Sequence, residues 1–303
     1  MTDLIRRIDR NCWPPARNDA AQIGGKAIGL AALQHAGLRT PEALVLTAEA
    51  YWGHLHKNTE LANAITGWDA SPGSTTAIRR AFQSTDIDGR LMSSIRTAVA
   101  DWGDRFAVRS SAIVEDSSEA SWAGQFESRL GVSTVGLEQA ILHVWQSLFS
   151  VWTADYAQTT VHDLRRTAMA VIIQRMVYGQ LSGVAFSGID ERRNSRPQHL
   201  IIEYVTGLGE QLVSGRRQPT AALSVNMTTL AVELLTLRDD RGEPDTRPGA
   251  TSGLSAGELK ELVAGVTRMQ QLYRRTTLDF EFTLHKSLLY FLQVRPLVTP
   301  SLR

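Results

Sequence analysis

At 303 residues, 43% apolar and 21% charged, the chain is long enough to bury roughly three quarters of its unfolded surface as one large globular domain or two subdomains. The net charge is +1 and no basic run carries interleaved aromatics, which removes nucleic acid as an expected partner. No apolar segment approaches ~18 residues and the start MTDLIRRIDRNCW lacks the apolar core of a signal peptide, so a cytoplasmic protein with no membrane partner is expected.

The single cysteine, Cys12, can form neither an internal disulfide nor a Cys-based zinc site, and is read as structural. Downstream, GGKAIGLAALQHAG (24–37) predicts a helix that begins near two glycines and stops at Gly37, a left-handed end that glycine adopts readily. Only Lys26, Lys57, Lys260 and Lys286 among the 32 basic residues are lysines, so the glycine-flanked Lys26 stands out. Just inside a glycine-opened helix, its ammonium and the free backbone N–H groups can face one anion. This is not a Walker A loop, because Ala27 stands where Ser or Thr is needed and the upstream glycine is missing. A surface lysine is the competing explanation.

A strand, ALVL (43–46), follows Pro41, and Thr47 is placed to cap the next helix. Residues 58–104 read as polar helix with a turn at SPGS (71–74). DRFAVR (104–109) is a strand, and SSAIVEDSSEASWAG (110–124) has the small, acidic composition of a loop. Arg109 at the end of that strand, followed by Ser110 and Ser111, either grips a phosphate or caps a sheet edge. FESRLGV (126–132) alternates as a strand. The stretch 135–152 puts Leu137, Ile141, Leu142, Trp145, Leu148, Phe149 and Trp152 on one helical stripe, which assigns both tryptophans to a core.

Further strands are predicted at 169–177, 181–187 and 200–205. The interruption GLGEQLVSG (207–215) fails the dinucleotide fingerprint because Leu212 replaces its last glycine. The stretch 238–249 reads as a surface loop, and Ser255 with Glu258 forms a capping box for an amphipathic helix ending near Arg275. The seven histidines are scattered; His54 and His56, two apart, do not share a helix face. The sum is a mixed α/β (α+β) chain with several antiparallel pairs.

The last stretch, LDFEFTLHKSLLYFLQVRP (278–296), predicts a hairpin. Alternation puts Gln293, Phe291 and Leu289 on one face of its second strand. A loop centred on Ser287 sets Glu281 against Gln293 and Asp279 against Arg295. Two explanations stay open. One is a solvated face with a cross-strand ion pair worth ~0.2–1 kcal/mol. The other is a magnesium site, since magnesium takes hard oxygen ligands and suits a carboxylate beside an amide oxygen, with a guanidinium completing a clamp on phosphate.

In this order and spacing, GGKAIGL, FAVRSSAIVEDSSEASWAGQFES, IIQRMVYGQLSGVAFS, GLGEQLVSG and DFEF followed by FLQVRP resemble the nucleotide-binding domain of phosphoenolpyruvate synthase, pyruvate phosphate dikinase and rifampicin phosphotransferase, over about residues 20–298. The resemblance implies an ATP-grasp-like fold of two lobes with largely antiparallel sheets and ATP between them, the first lobe 1–109 and the second 110–303, with segments exchanged between lobes. It implies ATP and Mg2+ as cofactors. Lys26 and Arg109 would hold the nucleotide phosphates, and Glu281 and Gln293 the magnesium. Arg295 would stabilise the phosphoryl group in flight, which makes Arg295, Arg109 and Lys26 the catalytic set. Ser110 and Ser111 would open the loop that closes over the triphosphate through Gly124. Gln174, Met176 and Glu203 would line the adenine and ribose pocket, with Glu210 in the loop after it.

Members of that family continue into a domain with a phosphorylated histidine, which is absent before Arg303, so the expected activity is phosphoryl transfer from ATP to an acceptor supplied in trans, either a small molecule or the carrier histidine of a partner protein. An ATP-grasp ligase or condensing enzyme that activates a carboxylate as an acyl phosphate is the alternative. A non-catalytic ATP-binding subunit is a third, disfavoured by the joint presence of Glu281, Gln293 and Arg295.

Overall fold

The computed structural model describes residues 4–16, 19–113, 126–150, 153, 163–188, 199–238, 253–274 and 277–297. Two compact units emerge: Met1–Ile28 with Glu42–Met176, and Gly29–Pro41 with Val177–Arg303. The loop expected at 238–249, apart from Arg238, together with Gly124 and Trp152, lies outside the described residues.

The first unit holds strands β1 (Ile5–Ile8), β2 (Ala43–Leu46), β3 (Arg105–Ala112), β4 (Ser128–Ser133) and β5 (Met169–Arg175) in one antiparallel sheet of order β1-β2-β5-β3-β4. Its helices are α2 (Ala48–Lys57), α3 (Thr59–Thr66), α4 (Pro72–Gln83), α5 (Gly89–Ala98) and α6 (Leu137–Gln146); α1 (Asp19–His35) begins in this unit. One sheet face, carrying Leu44, Leu46, Phe106, Val108, Val171 and Ile173, is buried in a single cluster with Tyr51, Phe82, Ile95, Ile141 and Trp145 from the helices. Trp145 is fully buried and its indole N–H donates to the Met169 carbonyl at 3.0 Å, which makes it core, as the helical stripe predicts.

Local signals explain several helix ends. Gly37, two residues past α1, has φ +71. The SPGS stretch is a helix start rather than a turn. Ser71 accepts from the Ser74 amide at 3.2 Å as N-cap, and Pro72 takes the first helical position, where its missing N–H costs nothing. Thr47 occupies the cap position of α2, but its side chain does not cap it.

The compact units divide after Met176 and give 29–41 to the second. β3 runs on to Ala112 and bonds to β5, Ser111 opposite Ala170, which ties the end of β3 and the whole of β5 into the first sheet.

In the second unit β6 (Leu181–Ser187), β7 (His199–Thr206), β8 (Ala221–Asn226), β9 (Val232–Leu237), β10 (Leu278–His285) and β11 (Leu288–Pro296) form a sheet of order β11-β10-β6-β7-β8-β9, antiparallel throughout. A one-turn helix, α7 (Glu210–Val213), sits within the GLGEQLVSG stretch. Helix α8 (Ala256–Tyr273) starts at the predicted capping box and buries Leu262, Val263, Val266 and Met269. A Cβ at Gly265 would lie 2.4 Å from Phe291 Cζ, so α8 approaches the sheet face bearing Phe280, Phe282 and Phe291 at a point only glycine allows.

The terminal hairpin forms the predicted pairs by a different route. Its turn is two residues, Lys286 and Ser287, both left-handed with φ 51 and 60, rather than a loop centred on Ser287. A bulge then inserts Leu292 between the pairs Phe282–Phe291 and Glu281–Gln293. The extra residue restores Glu281 opposite Gln293 and also turns Gln293 to the face opposite Phe291. The shared face expected for Gln293, Phe291 and Leu289 is therefore corrected, and a glutamine leaves the apolar side of the strand.

Candidate functional site

In the first unit three of the candidate residues, Lys26, Ser110 and Ser111, meet at a break in α1. Gly24 has φ +71 and interrupts the helix. The ladder bond that would join the Ile23 carbonyl to the Ala27 N–H is occupied instead by Ser111, whose Oγ donates to Ile23 O at 2.7 Å and accepts from Ala27 N at 3.3 Å. A Cβ at Gly24 would lie 2.3 Å from Ser111 O, so both the backbone angle and the space demand glycine. Ser111 is fully buried and its one hydroxyl hydrogen is committed to the helix, which gives it a bracing role on the kink rather than a free donor for phosphate.

Two residues past the kink, Lys26 Nζ donates to Ser110 Oγ at 3.2 Å, so Lys26 is held on β3. Arg109 and Gln174 share one face of the sheet: Gln174 pairs with Ala107, and Arg109 stands two places further along β3. Gln174 is 2% exposed and its amide nitrogen has no hydrogen-bond partner among the described residues. A buried donor left open in this way is costly, and an acceptor on a bound ligand would satisfy it. Met176 follows β5, with its amide donating to Arg105 O at 3.0 Å.

In the second unit one sheet face carries the remaining candidates. Register places Gln293, Glu281, Val184 and Glu203 in a single row across β11, β10, β6 and β7. Glu203 is thus two strands from Glu281, roughly 9–10 Å away. Leu212 of α7 packs on Val184 and Val205 of the same face, which brings Glu210, two residues before Leu212, to this side of the sheet. Arg295 donates from Nε to Asp279 Oδ2 at 2.7 Å and from Nη2 to the same oxygen. The guanidinium is fixed beside the Glu281–Gln293 pair.

Asp279 carries a signal the sequence does not give. Its Oδ1 is buried with no hydrogen-bond partner among the described residues. Burial raises its pKa above the ordinary carboxylate range, Glu281 nearby adds to the rise, and Arg295 opposes it. Cross-strand pairing predicts the Asp279–Arg295 ion pair; the open second oxygen is a matter of packing that no spacing reveals.

Among the described residues no three His, Cys, Asp or Glu side chains gather into a metal cage. A carboxylate beside an amide oxygen still suits magnesium, which keeps water and phosphate oxygens as its other ligands. Among the described residues no helix is long and apolar enough to cross a membrane.

Residues 20–301 match the pyruvate phosphate dikinase AMP/ATP-binding domain. A probable phosphoenolpyruvate synthase of Methanocaldococcus jannaschii is 30% identical over 94% of this chain and 26% of the relative. A rifampicin phosphotransferase of Bacillus subtilis is 26% identical over 91% of this chain and 34% of the relative. The chain therefore spans about a quarter to a third of the length of these relatives. Among solved structures, the ATP-grasp ligase PsnB with its precursor peptide and AMPPNP aligns over 88% of this chain and 47% of that one, at 10% identity and a TM-score of 0.34.

Proposed function

The chain belongs to the pyruvate phosphate dikinase AMP/ATP-binding domain family, and from that premise we propose that it transfers a phosphoryl group from Mg·ATP to an acceptor outside this nucleotide-binding domain, a small molecule or a carrier histidine. The observation that carries this reading is the Glu281–Gln293 pair with Arg295 held alongside by Asp279. A carboxylate, an amide oxygen and a fixed guanidinium are what phosphoryl transfer asks of a protein, which contributes positioning and cationic clamps rather than covalent chemistry.

Glu281 and Gln293 hold the divalent ion. When bound, Mg2+ neutralises charge on the phosphate oxygens. Arg295 directs its N–H groups at the equatorial oxygens of the moving phosphoryl group, where negative charge spreads as the bond to the leaving nucleotide lengthens. Lys26 and Arg109 bind the phosphates as point charge and planar fork respectively. Gln174, Met176 and Glu203 receive the base and ribose, with the open amide of Gln174 donating to a ring acceptor.

The two acceptor classes leave different nucleotides. Direct transfer to a small molecule yields ADP; passage through a histidine in dikinase chemistry yields AMP and inorganic phosphate. The test is to incubate the protein with Mg·ATP, with and without a lysate of its source, and to resolve the nucleotides by ion-exchange chromatography. Acceptor-stimulated ADP or AMP is expected. ATP that remains intact with every fraction of the lysate would refute the proposal.

A further inference from the structure

A buried pair of hydroxyls lies on the same sheet face as Glu281 and Glu203 and belongs to none of the roles assigned so far. Ser182 of β6 and Thr283 of β10 face each other in register, one alternation along from Val184 and Glu281. They are 3% and 1% exposed. Ser182 Oγ lies 2.6 Å from the Gly207 carbonyl oxygen and 2.7 Å from Thr283 Oγ1, and Thr283 Oγ1 lies 3.1 Å from the Leu181 carbonyl oxygen.

Counting protons gives the group a direction. Two hydroxyls supply two hydrogens for three contacts, and both carbonyls can only accept. The two short contacts take the hydrogens: Thr283 donates to Ser182, and Ser182 donates to Gly207. A chain so directed is polarised along its length, which strengthens its last bond. That last bond ends on the glycine that opens GLGEQLVSG, whose own N–H donates to Gln180 O at 2.8 Å. Gly207 has φ +83, and three residues on begins α7, with Glu210 first and Leu212 packed on Val184.

Two glycines make room for the chain. A Cβ at Gly179 would lie 1.8 Å from Thr283 Oγ1, and a Cβ at Gly209 would lie 3.1 Å from Ser182 Cβ. Leu212 anchors the far end of the loop by apolar packing, and the near end is held at Gly207 by Ser182 on its carbonyl and Gln180 on its N–H.

We propose that Thr283 and Ser182 are positioning residues: their hydroxyl relay fixes the Gly207–Glu210 loop over the face that carries Glu281 and Glu203, and thereby sets nucleotide affinity without touching the nucleotide. This rests on the reading of that face as an Mg·ATP site. Thr283→Val keeps the shape and removes the hydroxyl; Thr283→Ser keeps the hydroxyl. Mg·ATP titration by calorimetry, hydrogen exchange of the 207–213 amides and the thermal midpoint are measured on wild type, both variants and Ser182→Ala.

Thr283→Val and Ser182→Ala are expected to weaken Mg·ATP binding about five- to tenfold, the loss of one buried hydrogen bond, and to speed exchange at 207–213. Thr283→Ser is expected to stay within about twofold of wild type on both readouts, a rescue that a merely space-filling role for Thr283 would not give. Thr283→Val that binds and exchanges like wild type, or Thr283→Ser that fails as badly as Thr283→Val at a matched thermal midpoint, overturns the relay. Wild-type protein that does not bind Mg·ATP overturns the nucleotide reading instead, and the positioning role with it.

Discussion

Arg295 and Asp279 show how much one residue pair can decide. The guanidinium gives two N–H groups to a single carboxylate oxygen, while the second oxygen of Asp279 stays buried with no hydrogen-bond partner among the described residues. Those two bonds order the Arg295 side chain, and under the proposed function a pre-ordered charge costs no reorganisation at the transition state. Glu281→Ala, Gln293→Ala and Arg295→Ala are each predicted to slow phosphoryl transfer by ~100-fold or more with the fold intact, read as single-turnover rates beside far-ultraviolet dichroism. Wild-type rates in all three would remove the assignment. The pairing behind this prediction is legible in the sequence because charges alternate with apolar residues along two adjacent strands. The bulge at Leu292 is not, since an inserted residue leaves no compositional mark; the pairing is right although the assumed turn is wrong, because the bulge compensates for the shorter turn. Ser111 is the converse case. Its place after Arg109 reads as a phosphate contact, and only coordinates reveal that its hydroxyl completes a broken helix.

At the scale of elements, helices with capping or stripe signals and strands with a buried apolar run are the ones the sequence gives away. The capping box at Ser255 and Glu258, the ALVL strand and the Trp145 stripe are examples. β1, β8 and β9 are not readable in this way. IRRI is short and half charged, and in VELLTL the apolar residues Val232, Leu234 and Leu235 stay exposed at a sheet edge, so no burial pattern marks the strand. The kink in α1 yields a contrast between two glycines in helices. Gly24→Ala is predicted to destabilise by about 1–3 kcal/mol from its positive-φ, glycine-only backbone alone, with the overlap on Ser111 adding to it. Gly53→Ala, in the interior of α2 with open space around it, is predicted to stabilise by about 1 kcal/mol. Urea midpoints that move in the same direction for both would contradict this account of the kink.

At the scale of the whole molecule, one buried ring contributes a pH dependence to stability. His54 is 6% exposed, stacked on Phe82 at 6.3 Å and tilted against Trp145 at 5.2 Å between centroids. Burial, with Lys57 nearby, pushes its pKa down to about 4 from 6.5. The folded protein therefore refuses a proton that the unfolded chain accepts between those values, and stability falls as pH drops through that window by an amount of order 3 kcal/mol. Urea unfolding at pH 7, 5.5 and 4.5 checks this, and a His54→Gln variant is expected to show a shallower decline. An identical decline in the variant would assign the effect to other groups. Neither this burial nor the division of the chain after Met176 is visible in composition: the burial depends on which distant helices bring Phe82 and Trp145 against His54, and the division on which strands pair.

The central claim is that the face of the second sheet bearing Glu281 and Gln293 binds Mg·ATP. Its most direct test is a calorimetric titration of ATP into wild type, Glu281→Ala and Gln293→Ala, each with and without Mg2+. Wild type is predicted to bind ATP more tightly when Mg2+ is present, and each variant to lose that magnesium-dependent gain. Wild-type binding indifferent to Mg2+, or a gain preserved in both variants, would contradict the account.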